Sequence, residues 1–347
     1  MKIGIITDAI DDNAAGMGTY VRNLCDNLKK NYTSHDLVYI HYKKNKDTFY
    51  HGAHEIIIPF RSLPLKREIR KVYDFPHILR HRHFDIIHEP VQIGPFFLQG
   101  PYKKVLTIHD LTPLLFPLTH KFSTHLHHRY GLPRVLRRVD RVICVSESTK
   151  KDLLSFFPVD LKKIKVIYNG VDPSFAPIKD KYRIQKFHHD FQIDFPYLLF
   201  VGTLEPRKNL VTVLDAFSMI RKKHSDLRLF IVGRKGWKYH AIYDKIYNLG
   251  IAKHTILTGM IPEEDLIMFF NRAEAFIYPS LYEGFGLPVA EAMRCGCPVI
   301  TSSISSLPEV AGDAALLVNP YDPREAAAAL DRVLSDSKLR SEMREKG

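Results

Sequence analysis

Short β-branched and aliphatic runs alternate along the chain with stretches of helical periodicity. Lys2 to Thr7, Leu37 to Tyr42, Glu55 to Ile58, Phe84 to His88, Lys103 to Ile108, Arg141 to Val145 and Lys165 to Tyr168 read as strands, with helices such as Thr19 to Lys30 and Glu147 to Phe157 between them. A break follows at Asn169-Gly170-Val171-Asp172-Pro173 and continues as a polar stretch to Asp194. The alternation then restarts with Tyr197 to Val201, Arg228 to Val232, Thr255 to Leu257, Ala275 to Tyr278, Pro298 to Thr301 and Ala315 to Val318. Near-continuous apolar strands alternating with helices predict parallel sheets covered on both faces. The chain therefore reads as two doubly wound α/β domains, 1–170 and 196–347, joined by a linker over 171–195.

Open parallel sheets bind ligands beyond the carboxyl ends of their strands, so the residues there carry the functional reading. The first strand runs into a loop with Gly16-Met17-Gly18 ahead of the helix from Thr19. It fails as a dinucleotide fingerprint, because Val21 holds the third glycine position and the second strand ends in His41-Tyr42-Lys43 without a ribose-binding acid. What survives is close backbone approach to an anion at a helix N-terminus, by itself a weak signal. Strand Tyr197 to Val201 ends in Gly202-Thr203-Leu204-Glu205-Pro206-Arg207-Lys208-Asn209. Adjacent cations beside a strand end and a helix start suit a diphosphate; solvated surface charge is the alternative. Farther on, strand Ala275 to Tyr278 enters a turn with Glu283-Gly284-Phe285-Gly286 and then a helix that Pro288 opens and that carries Glu291. Eight helical residues rotate by about 80°, so the two glutamates are expected to do different work.

Composition places the charge. Lys and Arg total 50 against 38 Asp and Glu, a net charge of +12, and residues 1–170 hold +11 of it. An excess confined to one half points to an anionic partner there. Between Leu65 and Pro76, the residues Leu65, Ile69 and Val72 recur at helical spacing while Lys66, Arg67, Arg70 and Lys71 project over a separate arc. Two readings stand for this basic helix: an ordinary surface helix, or one docked on anionic lipid headgroups. Nucleic acid is disfavoured, since the chain holds no zinc finger, RNP-like aromatic motif or basic helix beside a dimerisation heptad. Four cysteines are too few and too irregular for a disulfide framework, and Cys295-Gly296-Cys297 has no second pair to complete a metal site. His125-Leu126-His127-His128 lies among basic residues and reads as a solvated or acceptor-facing segment. Without a membrane-spanning apolar run or a signal-like N-terminus, the protein is expected in the cytosol.

Several motifs together resemble a known family. The Gly16-Met17-Gly18 segment, Thr107-Ile108-His109-Asp110, Cys144-Val145-Ser146-Glu147, Tyr168-Asn169-Gly170-Val171-Asp172, Glu205-Pro206-Arg207-Lys208-Asn209 and the two-glutamate stretch occur in order along nearly the whole chain. This set resembles retaining GT-B glycosyltransferases of the family-four kind, and most of all mannosyl- or rhamnosyltransferases that build polysaccharides and glycolipids. The resemblance implies two Rossmann-like domains facing each other across a cleft, the first receiving a glycan or lipid-linked acceptor and the second holding a nucleotide sugar, with GDP-mannose the best guess. Arg207 and Lys208 would neutralise the diphosphate, Glu291 would hold the ribose hydroxyls, and Glu283 would bind hydroxyls of the transferred sugar. Backbone N–H groups of Gly284, Phe285, Gly286 and Leu287 would face the sugar and phosphate. His109 would sit over the sugar, Gly16 and Gly18 would close on phosphate or acceptor, and Gly233, Met260 and Ile261 would line the base.

Fixed cations and helix-end dipoles aimed at a departing nucleoside diphosphate lower the barrier without a metal or cofactor. Family members usually continue into helices that cross back to the first domain, so a truncated C-terminus is expected. Three alternatives stay open: a sugar-nucleotide epimerase, a glycan phosphorylase with pyridoxal phosphate, and a non-catalytic sugar-nucleotide-binding subunit.

Overall fold

The computed structural model describes residues 1–12, 15–44, 48–62, 66–92, 100–237 and 239–347; the side chains of Ala15, Arg67 and Glu68 lie outside that description. Leu65 of the expected basic helix is therefore outside it as well. The chain forms two compact units, Met1–Gly170 and Val171–Gly347.

In the first unit β1 (Lys2–Ile6), β2 (Asp36–His41), β3 (His54–Ile57), β4 (Ile86–Glu89), β5 (Lys103–Ile108), β6 (Arg141–Cys144) and β7 (Ile164–Val166) build one parallel sheet, ordered β3-β2-β1-β4-β5-β6-β7. Successive residues point to opposite faces, and both faces are apolar. Ile5 and Tyr39 enter one core cluster with Val21 and Cys25, while Ile6 and Ile40 enter another with Phe75 and Leu79. A third cluster packs Leu106 and Val142 against Leu132 and Val135.

In the second unit β8 (Tyr197–Val201), β9 (Arg228–Val232), β10 (Thr255–Gly259), β11 (Ala275–Tyr278), β12 (Val299–Ser302) and β13 (Ala315–Val318) form a parallel sheet ordered β10-β9-β8-β11-β12-β13. Phe200, Phe217, Phe269 and Phe276 fill its core. Strand order reverses between β1 and β4 in one sheet and between β8 and β11 in the other. Crevices open at the carboxyl ends of those pairs.

Three expectations change. The segment read as a linker is part of the second unit: Phe175, Phe187 and Ile193 are buried in its core. Helix Lys181–Asp190 within it is capped by the Asp180 side chain, which accepts from the N–H groups of Tyr182 and Arg183. Its polar residues had masked a single buried face. The helix expected from Thr19 starts at Ala15, so Gly16 and Gly18 lie in its first turn and not in a loop. A Cβ on Gly18 would stand 3.2 Å from the Ala9 carbonyl oxygen, so this glycine permits close packing on the preceding helical turn. Finally, Lys66–Ile69 is α-helical but Arg70–Asp74 is a π turn, followed by helix Phe75–Leu79. The wider turn shifts the buried face. Arg70, Asp74, Phe75 and Leu79 point inward, while Val72, expected in the apolar stripe, is exposed.

Candidate functional site

Beyond β8 the chain makes a 3-10 turn over Pro206–Lys208, passes through Asn209 with φ +55°, and enters helix Leu210–Ile220. Asn209 Nδ2 donates to the carbonyls of Pro279 at 3.0 Å and Pro320 at 2.6 Å. The Arg207 carbonyl in turn accepts from Leu281 N–H at 2.9 Å and Ser280 Oγ at 3.1 Å. The loops after the neighbouring strands β8 and β11 are thus stitched together at the switch point.

This stitching brings Arg207, Lys208 and Glu283 into contact. Glu283 Oε1 accepts from Lys208 Nζ at 2.6 Å, Ser280 Oγ at 2.7 Å and the Tyr278 hydroxyl at 2.9 Å; Oε2 accepts from Arg207 Nη1 at 3.1 Å. Arg207 also donates to the Tyr282 carbonyl at 2.7 Å and to Glu205 Oε1 at 2.7 Å. Burial would raise the Glu283 carboxyl, but Lys208 and Arg207 outweigh it and hold it down at about 2. Burial lowers the Lys208 ammonium, with Glu283 opposing the shift. The cluster pairs two cations, Arg207 and Lys208, with two carboxylates, Glu205 and Glu283.

Gly286, at φ +106°, precedes helix Leu287–Arg294, and no side chain caps that helix end. Its first-turn N–H groups make an anion-favouring terminus. Ser306 Oγ donates to the carbonyls of Glu283 at 2.9 Å and Phe285 at 2.7 Å, fixing the turn. A Cβ on Gly233, at φ +147°, would fall 1.9 Å from the Gly202 carbonyl oxygen, so only glycine lets the ends of β8 and β9 approach this closely.

Glu291 sits on the helix after this turn, and no hydrogen bond joins it to the Glu283 cluster among the described residues. Burial, reinforced by Glu263, pushes its carboxyl up to about 7. Met260 and Ile261 follow β10, beyond β9 in the sheet; Met260 is exposed and Ile261 packs on the core.

The first unit holds His109. Its Nε2 lies 2.7 Å from the Pro90 carbonyl, which only accepts, so Nε2 carries the proton and Nδ1 is the acceptor. Tyr20 packs edge-on against the ring at 4.7 Å. Burial lowers the imidazole's pKa, favouring the neutral form. Of the four cations expected on the basic helix, Lys66 is exposed. The Arg67 side chain lies outside the described residues. Lys71 is half-buried. Arg70 is 1% exposed, with Nη2 donating to Asp8 Oδ1 at 2.8 Å, Nη1 to Asp8 Oδ2, and Nε to the Ile58 carbonyl at 2.6 Å. Arg70 is therefore no lipid-facing residue: its charge is spent inside the unit.

Sequence reasoning missed Tyr278, Ser280 and Glu205. A tyrosine closing a buried apolar strand, with a serine two residues on, was the available signal.

Two family profiles match the chain, Glycosyltransferase Family 4 over residues 14–175 and Glycosyl transferases group 1 over residues 182–347. O-antigen chain mannosyltransferase B of Escherichia coli is 28% identical over 292 residues, 82% of this chain and 72% of that one. Serotype-specific mannosyltransferase WbdA of Escherichia coli is 28% identical over 250 residues, 70% of this chain and 31% of that one, so the match spans about a third of that relative. Anabaena Alr3699/HepE, solved in complex with UDP-glucose, matches with a TM-score of 0.80 at 17% identity over 100% of this chain and 94% of that one. That likeness is one of fold, GT-B.

Proposed function

The chain belongs to the family-four, group 1 glycosyltransferases, and we propose that it is a retaining mannosyltransferase, moving mannose from GDP-mannose to a glycan or lipid-linked acceptor in cell-surface polysaccharide or glycolipid synthesis. The observation that carries the transfer chemistry is the buried Glu283 carboxylate held by Lys208, Arg207, Tyr278 and Ser280. As the sugar–phosphate bond breaks, the nucleoside diphosphate gains charge and the sugar becomes oxocarbenium-like. Arg207, Lys208 and the helix end at Leu287 answer the first change; the ionised Glu283 answers the second and binds sugar hydroxyls. Front-face attack follows, with the departing phosphate oxygen taking the acceptor's proton, so that no protein nucleophile is used. Glu291 binds the ribose diol.

The mannosyl assignment is supported by the names of the two Escherichia coli relatives; the UDP-glucose complex of HepE makes UDP-glucose the competing donor. Titrating GDP- and UDP-sugars and following slow donor hydrolysis decides between them. GDP-mannose should bind best and yield a product of unchanged anomeric configuration by NMR. Preference for UDP-glucose overturns the donor, and an inverted product overturns the mechanism.

We also propose that the first unit works against an anionic membrane, on the inner face of the cell membrane. Residues 111–139 contain no Asp or Glu. Within them Leu118 is 97%, Phe122 76% and Tyr130 60% exposed, among exposed Lys121, Arg129 and Arg134. An apolar tip flanked by cations complements an anionic lipid surface. Among the described residues no helix is long and apolar enough to cross a membrane.

A further inference from the structure

The carboxyl ends of β1 and β4 meet where strand order reverses in the first unit. A cavity of about 210 Å³ opens there, lined by Asp8, Asp12, Phe60, Arg70, Lys71 and Glu89 among others. Its charges are already matched. Arg70 commits both terminal nitrogens to Asp8 and its Nε to a carbonyl, so its fork is not turned to a phosphate. Lys71 lies in the field of both Asp8 and Glu89.

Glu89 is the group without a structural task. It is 6% exposed; Oε1 accepts from Val91 N–H at 3.1 Å, and the other carboxyl oxygen accepts no hydrogen bond from a described residue. Burial, with Asp8 adding to it and Lys71 opposing, pushes the carboxyl up to about 8. Burial thus favours the protonated carboxyl, which can donate and accept at once. The lining then carries two cations, Arg70 and Lys71, against two carboxylates, Asp8 and Asp12. A phosphate would meet the carboxylates and an amine the cations; a neutral polyol meets neither penalty. Phe60 and Met17 add apolar wall for the C–H face of a sugar ring.

We infer that this cavity binds a neutral sugar residue of the acceptor, with the Glu89 carboxyl group hydrogen-bonded to one of its hydroxyls. The inference rests on the transferase reading above and narrows its acceptor to a neutral glycan end in preference to a lipid phosphate.

The test titrates the whole chain with methyl glycosides of mannose, glucose, galactose and N-acetylglucosamine, and in parallel with inorganic phosphate and glucuronate, observed by NMR. At least one neutral glycoside should bind. Glu89→Leu should weaken it by about tenfold, the loss of one buried hydrogen bond. Glu89→Gln, which still donates and accepts, should stay within about threefold. Phe60→Ala, which leaves the Glu89 carboxyl and the Arg70–Asp8 hydrogen bonds in place, should also weaken binding and keeps the test valid if Glu89→Leu does not fold. Binding of phosphate or glucuronate alone, no binding by any glycoside, or glycoside binding indifferent to Glu89 overturns the inference. GDP affinity should be unchanged in all three variants; a wrong donor assignment would appear there, independently of the glycoside titration.

Discussion

Lys208 donates from Nζ to Glu283 Oε1 at 2.6 Å, on an oxygen that also takes the Tyr278 and Ser280 hydroxyls. A buried carboxylate with three donors on one oxygen has a fixed direction and a fixed charge, which is what a group facing a developing cation requires.

Glu283→Gln keeps the shape and removes the charge, and it should lower kcat by about 10²- to 10³-fold, the scale of one lost electrostatic contact to a transition state. Lys208→Ala should cost a similar factor by removing a phosphate cation and loosening Glu283. Because the residues act as a unit, the double variant should lose far less than the product of the two. Steady-state transfer or donor hydrolysis measures all three. A Glu283→Gln enzyme at the wild-type rate excludes the assigned role.

Glu291 should make donor use pH-dependent. Its carboxyl is raised to about 7, by burial first and then by Glu263; below that pH it is protonated and loses its ionised acceptor for the ribose diol. The kcat/KM for donor should therefore fall as pH drops below about 7, through KM more than kcat. Glu283, held at about 2, contributes no bend in that range. Glu291→Gln should give a lower, flat profile across the same interval, and an unchanged acid limb in that variant would assign the bend elsewhere.

Strand positions were legible because parallel strands buried on both faces leave an unbroken apolar signature: β5, β8, β9, β11 and β13 run between the residues expected for them. Glu283, Arg207 and Lys208 were legible for a related reason, lying at strand ends where a glycine turn or paired cations have few structural excuses. Arg70 was not. A π turn adds one residue to a helical repeat and no sequence pattern announced it, so a helical projection put Arg70 on the solvent face. Glu89 and the cavity were hidden because they join the ends of β1 and β4 with Phe60, Arg70 and Lys71, which are distant in sequence.

The Arg70–Asp8 pair should matter for stability. Arg70→Ala leaves Asp8 without its bidentate partner and should destabilise the first unit by about 3–5 kcal/mol. Arg70→Met combined with Asp8→Asn removes both charges and should recover much of that loss. Denaturant unfolding measures both. A near-neutral Arg70→Ala would return this residue to surface charge.

A second buried group sets a pH window for stability. His41 places Nδ1 3.1 Å from Asp11 Oδ2 and Nε2 3.0 Å from Glu55 Oε2, and Asp11 also accepts the N–H groups of Tyr42 and Lys43. Burial opposes the charged imidazole, but Asp11 and Glu55 prevail and raise its pKa. Its contribution is complete below the ordinary histidine value of about 6.5 and is lost as pH rises through the raised folded value. Burial likewise opposes ionised Asp11, yet His41 lowers its pKa; that contribution is complete above about 3.9 and is lost as pH falls through the lowered value. Thermal unfolding midpoints should thus decline above about pH 6.5, and His41→Gln should be less stable with a shallower decline. Parallel curves for the two proteins would remove His41 from the account.

Membrane contact gives the last expectation. With the Arg70 charge turned inward, the exposed Lys121, Arg129 and Arg134 around Leu118 and Phe122 become the docking face. Each basic residue near an anionic leaflet is worth about 1 kcal/mol, so Lys121→Glu with Arg134→Glu should reduce binding to phosphatidylglycerol-containing vesicles by more than tenfold. The effect should shrink as the Debye length falls from about 10 Å at 0.1 M salt to about 3 Å at 1 M. Leu118→Ser with Phe122→Ser should instead remove the binding that persists at high salt, because burial of apolar area is not screened. Transfer to a soluble acceptor should be unaffected by either pair. Equal binding to phosphatidylcholine vesicles or salt-insensitive attachment would reject the membrane assignment. So would a dimer by light scattering that the Phe122 variant dissolves, which would give the patch to a second copy of the chain.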